Sequence, residues 1–488
     1  MTTQDNPDTT LDPEDWDTFR KRAHAMLDHA IDKMEGAREG RVWTPVPDAL
    51  KARLQEPLPP TGAPGMRVDE AIRSLMPYGP GNTHPRFFGW VHGSGTPSNM
   101  IAEIAAAAMN VNAGGRDQVA LYVERQLVQW VRQLFGFPET ASGLTVSGTS
   151  MATILALKAA RDVALDFRSR EQGVSGSQLV AYASAETHAC VARAFDMLGL
   201  GSDALRRIPT DDALRMSTDA LETAIGEDRA AGRQPFALVG TAGTVNTGAI
   251  DPLIALADIA TEHGLWFHID AAFGASGMLS PVLRPRFSGL ERAHSVAFDF
   301  HKWMHVNYDA GFVLIRDEEA HRRAFSMRPD YLQHNERGLA AGFPWAVDYG
   351  PELSRGFRAL KVWAHLMEHG PEKIGASVTR NVEQVRYLAE RVDEAQELER
   401  LAPVETSICC FRHTAWEGAS GAEIDRLNDE IVVRLQEEGI AAPSTTRIGG
   451  KLAIRVNITN HRTQLSDVDM LLEEIRRCGR DLSRGNQR

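Results

Sequence analysis

The chain has 488 residues, 43% of them hydrophobic and 24% charged, which suits one large buried core with a smaller appended domain and not a disordered or fibrous chain. Its formal net charge of −12, with no basic stripe interleaved with aromatics, argues against a nucleic-acid partner. Cys190, Cys409, Cys410 and Cys478 have neither disulfide-framework nor zinc spacing, the start is acidic without an apolar leader, and no run could cross a bilayer, so a cytoplasmic enzyme with no membrane partner is expected.

Residues 1 to about 16 read as a flexible acidic leader with no apolar period. From Trp16 to about Arg38, the spacing of Phe19, Ala23, Met26, Leu27, Ile31 and Met34 predicts an amphipathic helix. The proline-rich stretch 45–64 is expected to be extended. Residues 84–97 are rich in glycine and aromatics, a composition that fits a ligand-lining loop and equally a loop anchored to the core. Helices are predicted at 99–109 and about 119–135, the second stopped by Gly136 with Pro138 close behind.

From about 143 to 317 the pattern becomes strand, turn, helix. Short apolar strands at 144–146, 179–183, 236–240, 265–269, 295–298 and 311–315 predict an α/β fold with a mostly parallel sheet. Such sheets bind ligands outside the carboxyl ends of their strands. Five chemically suggestive clusters fall there: Ser147 to Ser150, then His188, then Gly240 to Thr244, then Asp270 to Ala272, and finally His301 with Lys302.

Each cluster alone has a plain structural reading. Ser147, Gly148, Thr149 and Ser150 ahead of a helix read first as an N-cap, although free N–H groups at a helix start also cradle phosphate. Asp270 could be an exposed cap, but buried it would need a cationic partner. His188 alone is an ordinary surface or core histidine. Lys302 alone is a strand-end lysine, yet in apolar surroundings it should titrate nearer neutrality and become an amine nucleophile. A metal at His301 and His305 is rejected, because no third ligand follows in a recognisable pattern.

One ligand would satisfy all five clusters. Pyridoxal phosphate places its phosphate on a helix N-terminus, its ring nitrogen on an aspartate and its aldehyde on a lysine. The order of these elements, with Phe267 to Ala272, His301-Lys302-Trp303, Val306 to Asp309 and Phe357 to Trp363, resembles the group II pyridoxal-phosphate-dependent amino-acid decarboxylases, the family of aromatic-L-amino-acid decarboxylase. The resemblance runs from about residue 84 through Arg358 and more weakly beyond. It implies a fold type I, aspartate-aminotransferase-like chain: an N-terminal helical, dimer-wrapping segment (1–100), a large cofactor-binding α/β domain (101–370) and a small C-terminal α+β domain (371–488).

It also implies roles. Lys302 would carry the cofactor as a Schiff base, Asp270 would keep the ring nitrogen protonated, His188 would stack on one ring face and Ala272 would pack on the other. Gly148, Thr149, Ser150 and His301 would hold the phosphate, with Thr244 near the cofactor. The segment 323–345 would be a mobile lid whose Tyr331 protonates the α-carbon after carbon dioxide leaves. Relatives with phenylalanine there tend to yield aldehydes, so a tyrosine favours the amine. The family's homodimers build the active site at the subunit interface, which would bring Asn110 and Asn112 from a partner to the substrate, where aromatic decarboxylases carry apolar residues. With Phe88, Trp90 and Trp303 as aromatic surface, the expected substrate is an aromatic or bulky neutral L-amino acid. The alternatives are an aldehyde synthase, aldolase or aminotransferase, a decarboxylase of an acidic or small amino acid, or a non-catalytic protein that keeps the fold. Beyond the large domain, helices are expected at about 361–370 and 374–396, then strands at 407–412 and 452–458 around a helix at 422–438, with Gly449 and Gly450 as the turn.

Overall fold

Runs of Val, Ile, Ala and Phe form seven strands: β1 (Ser142–Val146), β2 (Leu179–Ser184), β3 (Leu205–Ile208), β4 (Gln234–Thr241), β5 (Trp266–Asp270), β6 (Ser295–Asp299) and β7 (Gly311–Ile315). All are buried apart from the start of β4 and the middle of β3, as expected of a sheet covered on both faces. The structure, a computed structural model, describes residues 10–327 and 335–485. The strand order is β1-β7-β6-β5-β4-β2-β3; β7 is antiparallel to both neighbours and every other pair is parallel.

Side-chain alternation sends Val180, Leu238, Ile269, Phe298 and Leu314 into one core, and Ala181, Val239, Ala297 and Val313 into another. Helices Val119–Phe135, Thr218–Ala230 and Leu253–His263 cover the first face, and Thr149–Ala164 and Ala189–Met197 the second. Pairing sets Thr241 beside Asp270, Asp270 beside Ala297, and Gly311 between Val146 and Asp299. The carboxyl ends of β1, β4, β5 and β6 therefore share one edge. Gly311 is needed there, because a Cβ would overlap the backbone of Gly148.

The second sheet is antiparallel, in the order β10-β11-β9-β8, from β8 (Leu398–Arg400), β9 (Ile408–His413), β10 (Ser444–Ile448) and β11 (Lys451–Asn457). Gly449 and Gly450, both at positive φ, make its hairpin turn. Helices Gly421–Glu437 and Leu465–Gly485 pack on it. The two helices expected around Gly370 are both present within Arg358–Asp393, divided by a kink where Gly370 leaves helical geometry before Pro371. Beyond the kink, Ile374, Val378 and Val382 enter the large core and Val385, Leu388 and Val392 the small one, so this helix joins the two. The stretch expected to be extended contains the short helix Asp48–Arg53, entered from Pro47. No helix among the described residues is long and apolar enough to cross a membrane.

Candidate active site

A cleft of about 540 Å³ opens at the shared strand edge. Its walls draw on all five sequence clusters: Ser147 to Ser150 after β1, His188 after β2, Thr241 and Gly243 at the end of β4, Asp270 and Ala272 at the end of β5, and His301 with Lys302 after β6. Crossovers between parallel strands put these ends together although as many as 155 positions separate them in the sequence.

Asp299, the last residue of β6, organises the floor. Its Oδ2 lies 3.0 Å from Lys302 Nζ and 3.7 Å from His301 Nε2, and its Oδ1 accepts the Thr149 N–H at 2.7 Å. Burial alone would push the Lys302 ammonium down, but Asp299 and Asp270 outweigh it and hold the pKa above the usual lysine value. This corrects the expectation of a lysine titrating near neutrality: its surroundings are carboxylates and not only apolar groups. Burial raises the Asp270 pKa, opposed by Lys302, by the Ala272 N–H bonded to Oδ1 at 3.0 Å, and by His188. Cys190 Sγ lies 3.7 Å from the other Asp270 oxygen. His188 caps the helix Ala189–Met197, and its Nδ1 accepts the Cys190 N–H at 3.2 Å, which leaves the proton on Nε2. Burial lowers its pKa.

The residues fit pyridoxal phosphate. The helix Thr149–Ala164 starts at the cleft after Gly148, and the Thr149 hydroxyl is buried without a hydrogen-bond partner, as a phosphate ligand awaiting its anion would be. His301 stands beside that turn, its Nδ1 held by the Ala310 N–H at 2.9 Å. A buried carboxyl and a part-buried lysine complete the set.

Other expected positions lie elsewhere. Phe88 is fully buried in the core against the second sheet, its N–H bonded to Ala442 and its carbonyl accepting from Asn457, so it is removed from the substrate wall. Trp303 is also fully buried; its indole N–H donates to Asn381 Oδ1 at 3.0 Å and its ring lies 5.9 Å from Phe273. Thr244 is turned into its own loop, bonded to Thr247 and the Ala249 N–H, and Thr241 lines the cleft instead. Asn110 ends the helix Ser98–Met109 in left-handed geometry, and Asn112 accepts from the Gly114 and Arg355 N–H groups, so neither lines the cleft of its own chain. Tyr331 lies outside the described residues.

Sequence reasoning did not single out His92, Cys190, Asp299 or Tyr308 for the cleft. Tyr308 packs 4.3 Å from the His301 ring, and His92 lies 6.0 Å from Trp90 and 6.2 Å from Tyr308, measured between ring centroids. The signal for Asp299 was its place at a strand end three residues before the lysine. A second cavity of about 490 Å³, beside the helix Val119–Phe135, presents no lysine or histidine, and its Glu124 is already paired with Arg355.

The profile described as "Pyridoxal-dependent decarboxylase conserved domain" matches residues 47–414. The chain is 31% identical over 469 residues to an aromatic-L-amino-acid decarboxylase of Bacillus atrophaeus, covering 95% of this chain and 96% of that one. It is 28% identical over 489 residues to a phenylacetaldehyde synthase of Petunia hybrida, covering 96% and 94%. Among solved structures, Oryza sativa TDC with PLP and tryptamine superposes with a TM-score of 0.88 at 26% identity, over 97% of this chain and 100% of that one. With its parallel-sheet core and its lysine, aspartate and histidine at one strand edge, the chain belongs to the pyridoxal-dependent decarboxylases, fold type I carboxy-lyases whose cofactor is pyridoxal phosphate.

Proposed function

We propose that this enzyme removes the carboxylate of an aromatic or bulky neutral L-amino acid and releases the primary amine and carbon dioxide. The observation that carries the reading is the mouth of the cleft, where Trp90, His92 and Tyr308 offer aromatic surface beside Lys302. The aromatic decarboxylase relative and the rice structure holding tryptamine support the same side-chain class.

Bound pyridoxal phosphate supplies an electron sink for the pair left when carbon dioxide departs. Lys302 would anchor the cofactor, and Asp299, whose Oδ2 lies 3.0 Å from the Lys302 amine, is placed to take or return its proton. Asp270 would pair with the ring nitrogen; burial makes its negative charge costly until a cation pairs with it. Thr149, Ser150 and the Gly148 backbone would hold the phosphate end, with His301 beside them. His188 and Ala272, which both line the cleft, would flank the cofactor ring. Holding the carboxylate bond perpendicular to the ring is a positioning task, which such fixed walls perform.

Tyr331 is proposed as the acid that returns a proton to the α-carbon, which favours amine over aldehyde. The test is a panel of L-amino acids with the cofactor-loaded enzyme, read by mass spectrometry for amine and carbon dioxide. Turnover confined to small or acidic substrates overturns the side-chain reading. Tyr331→Phe should divert product toward aldehyde and hydrogen peroxide while cofactor binding persists, and unchanged amine output removes Tyr331 from the mechanism.

A homodimer belongs to the same proposal. Helices Trp16–Glu35 and Gly65–Leu75 bury no residue within their own chain, and Ile101 and Ile104 stand 72% and 53% exposed, leaving apolar faces that a second copy would cover. In such a dimer Asn110 and Asn112 would approach the other copy's cleft.

A further inference from the structure

Trp90 sits at the cleft with a φ of +47°, in the left-handed region that a bulky side chain rarely adopts. Side chains of β10 and β11 hold it there. Ser444 Oγ accepts the Trp90 N–H at 3.3 Å, and the Trp90 carbonyl accepts from Arg455 Nη1 at 2.9 Å and Asn457 Nδ2 at 2.8 Å. With its backbone pinned at both ends, the indole is 54% exposed beside His92 and Phe87.

Arg455 is an unusual residue to find in this place. It is buried and forms no carboxylate pair among the described residues; it donates through Nε to the carbonyls of Val245 at 2.8 Å and Asn246 at 3.1 Å. Its Nη2 has no hydrogen-bond partner, and burial pulls its pKa down to about 10. Removing such a cation from water costs free energy, and a strained backbone persists only where its surroundings over-determine it. Both costs converge on the loop that carries Trp90, and Val245 is also part of the cleft wall.

We propose that side-chain selectivity is set from the small domain: Arg455, with Asn457 and Ser444, acts as a positioning residue that fixes Trp90 as a rigid wall for the substrate side chain. This rests on the aromatic or bulky-neutral reading above, and it adds which residues enforce that preference without touching the substrate.

The test is a double-mutant cycle on cofactor-loaded protein, using phenethylamine and methylamine as probes and visible absorbance as the binding signal. Trp90→Ala and Arg455→Lys should each weaken phenethylamine by about five- to tenfold, and the double variant should lose no more than Trp90→Ala alone. Methylamine binding and cofactor affinity should stay unchanged in Arg455→Lys. If Arg455→Lys does not fold, Asn457→Ala takes its place in the same cycle. Losses that add, or a matching loss of methylamine affinity, overturn the proposal. A wild-type enzyme that binds phenethylamine no more tightly than methylamine overturns the aromatic reading itself, and the proposal with it.

Discussion

Lys302 shows how neighbouring charges decide what a part-buried amine does. Burial favours the neutral form, yet Asp299 and Asp270 hold the pKa above the usual lysine value, with Asp299 Oδ2 3.0 Å from the amine. Lys302→Ala should abolish the visible band of the reconstituted enzyme and cut turnover by on the order of 10³ or more. The check is the spectrum after desalting, and a retained band would remove Lys302 from the anchor role. The sequence singled it out because a lysine beyond a buried strand, in line with Asp270, His188 and a small-residue turn, meets one cofactor's needs. The aromatic neighbours were less legible. Trp303 and Trp90 look alike as letters, but Trp303 turns inward to Asn381 while Trp90 is held at the cleft by bonds from residues more than 350 positions away.

Between elements, the buried pair Glu124–Arg355 joins the helix Val119–Phe135, β1 and the segment entering the helix Arg358–Asp393. The two groups meet at 2.8 and 3.0 Å, and Glu124 also accepts from the Thr145 N–H and hydroxyl at 2.7 Å. Burial would raise the Glu124 pKa, but Arg355 and Thr145 outweigh it and hold the carboxyl below its usual range. Removing one partner leaves the other charge buried, so Glu124→Gln should cost about 3–5 kcal/mol in urea unfolding. A cost under about 1 kcal/mol would mean that water reaches Arg355. The long helices and buried strands were legible because their apolar periods are unbroken; Val119–Phe135 and β7 agree with the sequence reading to the residue. The edge strands β3 and β10 were not, since both are partly exposed and carry polar residues where a buried strand would not.

For the whole molecule, buried histidines set the response to acid. Burial lowers the pKa of His268, His321 and His365 to about 3, against about 6.5 in an unfolded chain. The stability this contributes is present above pH 6.5 and is lost as pH falls toward 3, because the unfolded state takes up protons first. At pH 5.5 the loss is about 1.4 kcal/mol for each. Asp251, raised to about 6 by burial, works the other way and gains as pH falls through 6, by less than the three histidines together lose. Melting temperature should therefore drop from pH 7.5 to 5.5, and His268→Met should flatten part of the slope; a flat profile in the wild type contradicts this. Light scattering tests the dimer: a mass of about twice 53.7 kDa is expected, and a fully active monomer would refute it.

Sequence alone determined the alternation of strand and helix, the small-residue turn, the histidine, aspartate and lysine at successive strand ends, and from these the cofactor. Such features are local, because each depends on residues within a few positions of one another. Only the tertiary structure decided which aromatics face the cleft, that Asp299 sits against Lys302 and that Arg455 reaches Trp90. Those contacts join positions brought together by sheet register and by the packing of two domains, and a side chain's direction there follows from that packing and not from its own sequence neighbours.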